Sequence, residues 1–291
     1  MRYENPELPE GINDSERRPL LSFFKLAGGT LALAAALCGV LLLAAGHLAP
    51  LIPFRYETAA ADPAFHDRHS DKSIEPYLKE LGERLARAQG LPPGLRVEVH
   101  YDDASVVNAF ATLGGHIVVY QGLLEAVPDE NALAMVLAHE IAHVRHRHPI
   151  VGLSRSAALG FALMLLGADS GAQSVASAIS QGGMLTMLSF SRSQEEEADA
   201  TALETVARAY GHVGGADRFF RHMLAQEGSR EPPRFLSSHP LSSERIETLG
   251  ALAARHDWKI DGELTPIPEA VRTEIDRRRS QHSERRGRGG G

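Results

Sequence analysis

A stretch of 23 residues without a formal charge, Leu26 to Leu48, sets the strongest limit on how this chain can fold. As an α-helix it would extend roughly 34 Å, enough to cross the hydrocarbon layer of a bilayer. A cleaved signal peptide is the alternative, but its apolar region is only about 7–15 residues long and ends at a small-x-small site. A lipoprotein is disfavoured because bulky Leu37 precedes Cys38 and the apolar run continues past it. We therefore expect a retained membrane-spanning helix at residues 26–48.

Basic residues are more numerous before this segment than after it. Four precede it and two follow it before residue 70: Arg2, Arg17, Arg18 and Lys25, then Arg55 and Arg68. Positive charge favours the cytoplasmic side of a membrane. Residues 1–25 are therefore predicted to be a cytoplasmic tail. The remainder is predicted to lie in the periplasm, attached to a bacterial inner membrane by a single span.

Composition limits the chemistry that the rest of the chain can perform. The net charge of −7 provides no clustered basic face for nucleic acid. A single cysteine allows neither a disulfide framework nor a thiolate metal site. A metal site in this chain must therefore be built from histidine, aspartate and glutamate.

Periodicity divides the chain after residue 48. Prolines without a helical period predict a linker at 49–72, and an amphipathic helix follows at Ser73–Ala88, stopped by Gly90. The domain is predicted to extend over 73–260. The end of the chain, which includes "RRRSQHSERRGRGGG", lacks apolar residues, and 261–291 is therefore predicted to be a flexible basic tail.

Within the domain, three short segments have strand character, namely "RVEVHY", "VVNAFA" and "HIVVYQ", and Gly114 and Gly115 suit a tight connection between the last two. A long helix should extend from Asp129, its cap, to His148, because Pro149 cannot continue it. The apolar part of 150–190 is too short to span a membrane. That segment is predicted to be a buried or membrane-facing helical hairpin that acts as a lid or plug.

The long helix carries two histidines and a glutamate at a meaningful spacing. His139 and His143 are four residues apart and so project from one helix face, and Glu140 follows the first. This is the HExxH pattern, in which two histidines hold zinc and the glutamate acts on water. The alternative is that histidines complement a helix C-terminus. We favour that alternative for His146 and His148 only.

A catalytic zinc needs a third protein ligand. The metzincin position for a third histidine is occupied by Pro149, whereas "SFSRSQEEEADA" offers Glu195, with Asp199 on the same helical face. Glu195 is the predicted ligand, and Asp199 is predicted to hydrogen-bond to a ligand histidine. Taken alone, three consecutive glutamates are more typical of a solvated helix face.

Four segments in this order resemble the membrane-associated HExxH metallopeptidases typified by HtpX and the CAAX prenyl proteases, a group that includes periplasmic BepA and mitochondrial relatives. They are "NAFATLGGHIVVYQGLL", "LAHEIAHVRHRH", "SRSQEEEADA" and "SSHPLSSERI", within about residues 73–250. The resemblance implies an α+β, mainly helical, zincin-like domain with a small β-sheet beside the HExxH helix and one Zn²⁺ per subunit. It also implies that Asn108 and Ala109 contact substrate. His239 would reach the zinc or the developing oxyanion, and Arg245 would anchor His239.

The expected function is zinc-dependent hydrolysis of peptide bonds in misfolded or membrane-associated proteins, with Glu140 as general base and acid. A non-catalytic chaperone or scaffold on the same fold is the alternative. A CAAX-type prenyl protease is disfavoured because those enzymes enclose their site within several membrane helices. Expected partners are polypeptide substrates and the bilayer through residues 26–48. No motif indicates a particular regulatory or chaperone partner.

Overall fold

The computed structural model describes residues 19–66, 71–165, 190–226 and 234–288. Its first helix, α1, spans Pro19–Leu48 and exposes large apolar side chains such as Leu31 and Leu33. Among the described residues, one helical stretch, Leu20–Leu51, is long and apolar enough to cross a membrane. The predicted apolar helix is therefore present, and it begins at Pro19, before the first residue of the uncharged segment.

The segment 49–72 is not the irregular linker that its prolines suggested. It contains a 3-10 turn, Ala49–Leu51, and a helix, α2, at Phe54–His66. Pro53 directly precedes α2, where proline is tolerated. Tertiary contacts stabilise the helix, since Ala61 is fully buried and the guanidinium of Arg147 donates to the Glu57 carboxylate from Nε at 2.9 Å.

Three strands form the sheet in the order β1-β3-β2: β1 is Glu98–Asp102, β2 is Ala109–Ala111 and β3 is His116–Tyr120. β1 is parallel to β3, and β2 is antiparallel to it. The predicted glycine connection is a 3-10 turn, Leu113–Gly115, with φ of 73° and 79° at its two glycines. A Cβ at Gly115 would lie 1.9 Å from the Arg96 carbonyl oxygen, so only glycine fits there.

The HExxH helix is the centre of the core. This helix, α5, spans Glu130–Arg145, and each of its residues as far as Val144 is buried. Asp129 caps it as predicted by accepting a hydrogen bond from the Ala132 N–H at 2.9 Å. It ends at Arg145, three residues before the predicted end, and Arg147 turns the chain with a φ of 61°. Pro149 therefore lies in the first turn of the next helix instead of terminating this one.

Eight further helices are described. They are α3 (Glu75–Gln89), α4 (Gln121–Ala126), α6 (His148–Leu165), α7 (Arg192–Tyr210), α8 (Arg218–Ala225), α9 (Arg234–Ser238), α10 (Ser243–Arg255) and α11 (Glu269–Arg288). α3 and α7 both pack on α5. Ser191 and Gln194 form a capping box that begins α7. The predicted fold class, mainly helical with a small sheet, is confirmed.

The prediction of a flexible tail at 261–291 is wrong for most of its length. Val271 and Ile275 of α11 are buried in the main core, and the Gln121 side chain donates to the Ile275 carbonyl at 2.9 Å. The sequence after Ile275 contains no apolar residue, so it gave no sign of this contact. Two buried residues one turn apart are enough to pack the start of a long polar helix against the core.

The predicted hairpin at 150–190 is described only in part. Its first half is α6, which packs along α1 and places the Arg155 guanidinium beside Gly46. Leu159, Phe161 and Met164 of α6 are exposed. Residues 166–189 lie outside the described part of the chain, so the lid stays a prediction.

Candidate metal centre

The two histidines of the HExxH pattern meet on one face of α5. Their Nε2 atoms are 3.0 Å apart, and both rings are fully buried. One helical turn separates the residues, which is why the imidazoles lie side by side.

Glu195 reaches this pair from α7. One carboxylate oxygen lies 3.4 Å from His139 Nε2 and the other lies 3.5 Å from His143 Nε2. Burial raises the pKa of this carboxyl, but the charge of His239 and hydrogen bonds from His139 and His143 outweigh it and hold the pKa well below its usual range. Glu195 is therefore ionised, as a metal ligand must be.

His239 enters the same cluster from the end of α9. Its Nδ1 lies 3.2 Å from His139 Nε2 and 3.1 Å from Glu195 Oε1. The ring stacks on Phe235, and the His239 main-chain N–H donates to the Phe235 carbonyl at 2.8 Å. The other ring nitrogen, Nε2, lies 3.3 Å from Glu140 Oε1.

These side chains fit a single divalent ion. Ligand atoms of His139, His143, Glu195 and His239 all lie within 4.8 Å of one another. Bonds of about 2.0–2.2 Å in a tetrahedral arrangement would separate such ligands by about 3.3 Å, and the distances above lie close to that value. Glu140 Oε1 and His239 Nε2 are buried without a hydrogen-bond partner. Both polar atoms therefore have unused hydrogen-bonding capacity beside the cluster.

Asp199 orients the first histidine. Its carboxylate is 2.9 Å from His139 Nδ1, and Arg245 donates to both of its oxygens at 2.8 and 2.9 Å. Burial lowers the pKa of His139, but the Asp199 and Glu195 carboxylates more than offset this and raise it to about 10. Because Nδ1 lies beside the Asp199 carboxylate, the opposite nitrogen of His139, Nε2, faces the cluster.

Arg245 also touches Glu195, with Nη1 at 2.9 Å from Oε2, and donates to the Pro240 carbonyl at 2.6 Å. It thus links the α7 carboxylates to the residue after His239. The anchoring of His239 by Arg245 stays a prediction.

A pair of residues that the sequence interpretation missed orients the second histidine. His143 Nδ1 lies 2.9 Å from His148 Nδ1, and His148 Nε2 lies 3.2 Å from Glu197. Burial lowers the pKa of His148 to about 4. The interpretation of His148 as a helix C-terminal cation is therefore wrong, because it begins α6. No spacing rule indicates this contact, since the turn at Arg147 creates it.

The sheet holds Glu140. Its Oε2 accepts a hydrogen bond from the Ala111 N–H of β2 at 2.8 Å, and burial raises the pKa of its carboxyl. β2 is the edge strand on this side of the sheet. The sheet therefore sets the position of the candidate general base relative to the candidate metal ligands.

The two candidate substrate residues lie on or beside β2. The Asn108 side-chain oxygen accepts a hydrogen bond from Ser238 Oγ at 3.4 Å, and Ala109 is fully buried. Strand residues direct their backbone groups alternately to the two sides. Because Phe110 lies opposite Val118 and Ala111 donates to Glu140, the backbone of Ala109 faces away from β3, on the side of the metal centre.

A cleft of about 320 Å³ lies beside the cluster. It is lined by Phe190, Arg192, Glu195, Glu196, Pro240, Leu241, Ser242, Glu244, Arg245 and Thr248. Phe190 separates it from the histidines, since its ring stacks on His143 with centroids 3.9 Å apart. The cleft is therefore a space from which a ligand could approach Glu195.

An HExxH helix beside a small sheet, with a carboxylate from a second helix, defines the zincin-like metallopeptidase class. A model of peptidase family M48 matches residues 72–253, more than half of the chain. The chain belongs to this family, and the resemblance seen in its four motifs is confirmed.

Three relatives illustrate the similarity. The beta-barrel assembly-enhancing protease of Escherichia coli (strain K12) and its putative counterpart in Vibrio cholerae are each 29% identical over 188 residues, 61% of this chain and 38% of theirs. The mitochondrial metalloendopeptidase OMA1 of Schizosaccharomyces pombe is 31% identical over 182 residues, 60% of this chain and 51% of that protein. The chain thus matches about two fifths to one half of the length of these relatives.

Proposed function

We propose that this protein is a membrane-anchored, zinc-dependent metalloendopeptidase that hydrolyses misfolded or membrane-associated polypeptides. The observation that carries the proposal is the convergence of His139, His143 and Glu195 next to the buried carboxyl group of Glu140. The names of its relatives, which are proteases and metalloendopeptidases, support the same reaction class.

His139, His143 and Glu195 would hold one Zn²⁺, with His239 in reach as a further ligand. When bound, zinc would polarise the scissile carbonyl and acidify a water molecule. A two-histidine, one-carboxylate set matches known catalytic zinc sites.

Glu140 would move the proton. Oε2 is held by the Ala111 N–H, which leaves Oε1 to take a proton from water and return it to the leaving nitrogen. The raised pKa makes this carboxylate a stronger base than an exposed glutamate. His239 Nε2, which lies 3.3 Å from Oε1, would donate a hydrogen bond to the substrate oxygen. Water and the peptide bond are consumed, and a carboxylate and an amine are formed.

Substrate would bind in extended form along β2. The backbone groups of Ala109 face the metal-centre side of the strand, and main-chain pairing there recognises no particular side chain. Asn108 would orient the bound chain. Because Ala109 is buried and Phe190 covers His143, residues over the site must move before a polypeptide can enter.

Chelation tests the proposal. Treating the purified full chain with 1,10-phenanthroline is expected to reduce casein cleavage to background, because both imidazoles and Glu195 lose their common ion. Added Zn²⁺ should restore cleavage. The isomer 1,7-phenanthroline, which cannot chelate, is the control. Cleavage that survives chelation would contradict metal-dependent hydrolysis, and zinc-loaded protein that binds casein without cutting it would support the scaffold alternative.

We further infer that α1 and α6 lie together in the bilayer. The apolar side chains of α1 are exposed along its length, and α6 packs along it with Leu159, Phe161 and Met164 also exposed. Burying those side chains in lipid removes apolar surface from water. Since α6 follows directly after the HExxH helix, the metal centre would face the membrane surface.

The charge bias around α1 predicts a periplasmic domain. Proteinase K added to intact spheroplasts should therefore degrade a C-terminal tag on the full chain, while an N-terminal tag stays protected. A cytoplasmic protein detected in the same samples controls for lysis. Protection of the C-terminal tag would reverse the proposed orientation.

A further inference from the structure

A second group of metal-ligating side chains lies on the opposite edge of the sheet from Glu140. Glu98 and His100 are two residues apart on β1 and so share one face, and the register places His116 of β3 directly opposite Glu98. Ligand atoms of these three residues lie within 4.8 Å of one another. No residue of the HExxH motif, of α5 or of α7 belongs to this group.

The imidazoles point at each other. His100 Nε2 and His116 Nδ1 are 2.9 Å apart, and Glu98 Oε2 lies 4.0 Å from the same His116 nitrogen. These values bracket the separation of about 3.3 Å expected for ligands of one tetrahedral zinc. Both histidines are buried, whereas the Glu98 side chain is 44% exposed, which leaves a path from solvent.

A carboxylate orients the second imidazole. Asp62 Oδ1 of α2 lies 3.0 Å from His116 Nε2, and in a neutral imidazole that donates to Asp62 the other nitrogen, Nδ1, presents its lone pair toward His100 and Glu98. Arg96 holds the other Asp62 oxygen at 2.6 Å. A carboxylate on the outer nitrogen of a histidine is the arrangement that supports metal-ligating histidines.

A phenylalanine ring covers the two imidazoles. The Phe65 ring of α2 stacks on His116 with centroids 4.2 Å apart and on His100 at 4.7 Å. Phe65 thus covers both imidazoles from α2 and limits their rotation. Without a metal, the same atoms can form a hydrogen-bonded chain from His100 through His116 to Asp62. Glu98 is not part of that chain, and its other oxygen, Oε1, lies 4.0 Å from Lys79 Nζ.

We propose that Glu98, His100 and His116 form a second Zn²⁺ site, with Asp62 orienting His116 and solvent completing the coordination. Two imidazoles and a carboxylate suit this ion. The site would tie α2, the helix after the membrane anchor, to the sheet. It does not depend on the proposed peptidase activity.

Zinc stoichiometry tests the proposal on the full chain in detergent, in a Glu140→Gln background that prevents self-cleavage. After dialysis against a zinc buffer, mass spectrometry of the metal should give two ions per chain. His100→Ala should give one, and His143→Ala should also give one, held at the second site. The ion remaining in each variant shows that the fold is intact. His222→Ala, an exposed histidine on α8, should retain two.

Two milder variants separate ligation from folding. Glu98→Gln changes an exposed side chain and should lower zinc affinity at the second site only. Asp62→Asn should lower it by about 10–100-fold. One ion per chain in the Glu140→Gln protein that disappears with His143→Ala would overturn the second site. Two ions retained in His100→Ala would overturn it as well.

Discussion

Replacing Glu140 by Gln is expected to lower the rate of casein cleavage by about 10²–10⁴-fold while the protein still binds zinc. The amide keeps the size of the side chain but has no carboxylate to take a proton from water. Glu140 is not among the ligand atoms of the cluster, so His139, His143 and Glu195 should hold the ion as before. Initial rates of casein hydrolysis and metal content, measured on the same preparation, check both parts.

The matched control is Glu247→Gln, the same change at an exposed glutamate on α10. It should cleave casein at the rate of the unmodified protein. If Glu140→Gln keeps more than about one tenth of the activity, Glu140 is not the general base. If that variant loses its zinc, the negative charge of Glu140 contributes to metal binding.

Removal of the Asp199 carboxylate should damage both stability and metal binding. Asp199→Ala leaves the buried Arg245 guanidinium with Glu195 as its remaining carboxylate partner, so the expected loss is about 1–3 kcal/mol, less than for a buried charge without any partner. It also frees His139 Nδ1, so zinc affinity should fall by about 10–100-fold. Urea unfolding with chelator present measures the change in the free energy of unfolding. Zinc titration of the folded protein measures the change in zinc affinity.

Asp261→Ala, at an exposed aspartate, is the control and should change neither quantity. Asp199→Asn separates the two effects further, since the amide oxygen can still accept from His139 but carries no charge for Arg245. An Asp199→Ala protein as stable as the unmodified chain, with unchanged zinc affinity, would show that the network around His139 is dispensable.

Local patterns in the sequence determined α1, α3, α5 and α7, and the chemistry carried on α5 and α7. The four-residue spacing of His139 and His143 places both on one face of any α-helix, whatever surrounds it. The same rule pairs Glu195 with Asp199 on α7. The strands also followed from local composition, with alternation in "RVEVHY". Gly114 and Gly115 marked the turn between the last two, because a positive φ and close backbone approach exclude other residues there.

Contacts between segments far apart in sequence determined the structure of two regions that local sequence patterns did not predict correctly. The prolines of 49–66 suggested a linker, yet α2 forms because Arg147 and the core hold it. The basic C-terminus suggested a flexible tail, yet α11 docks through Val271 and Ile275.

The left-handed turn at Arg147 brings His148 to His143, and parallel pairing of β1 with β3 brings His116 to His100. Neither contact has a signature in spacing along the chain. Helix periodicity is a property of neighbouring residues, whereas the position of one helix or strand against another depends on side chains far apart in sequence.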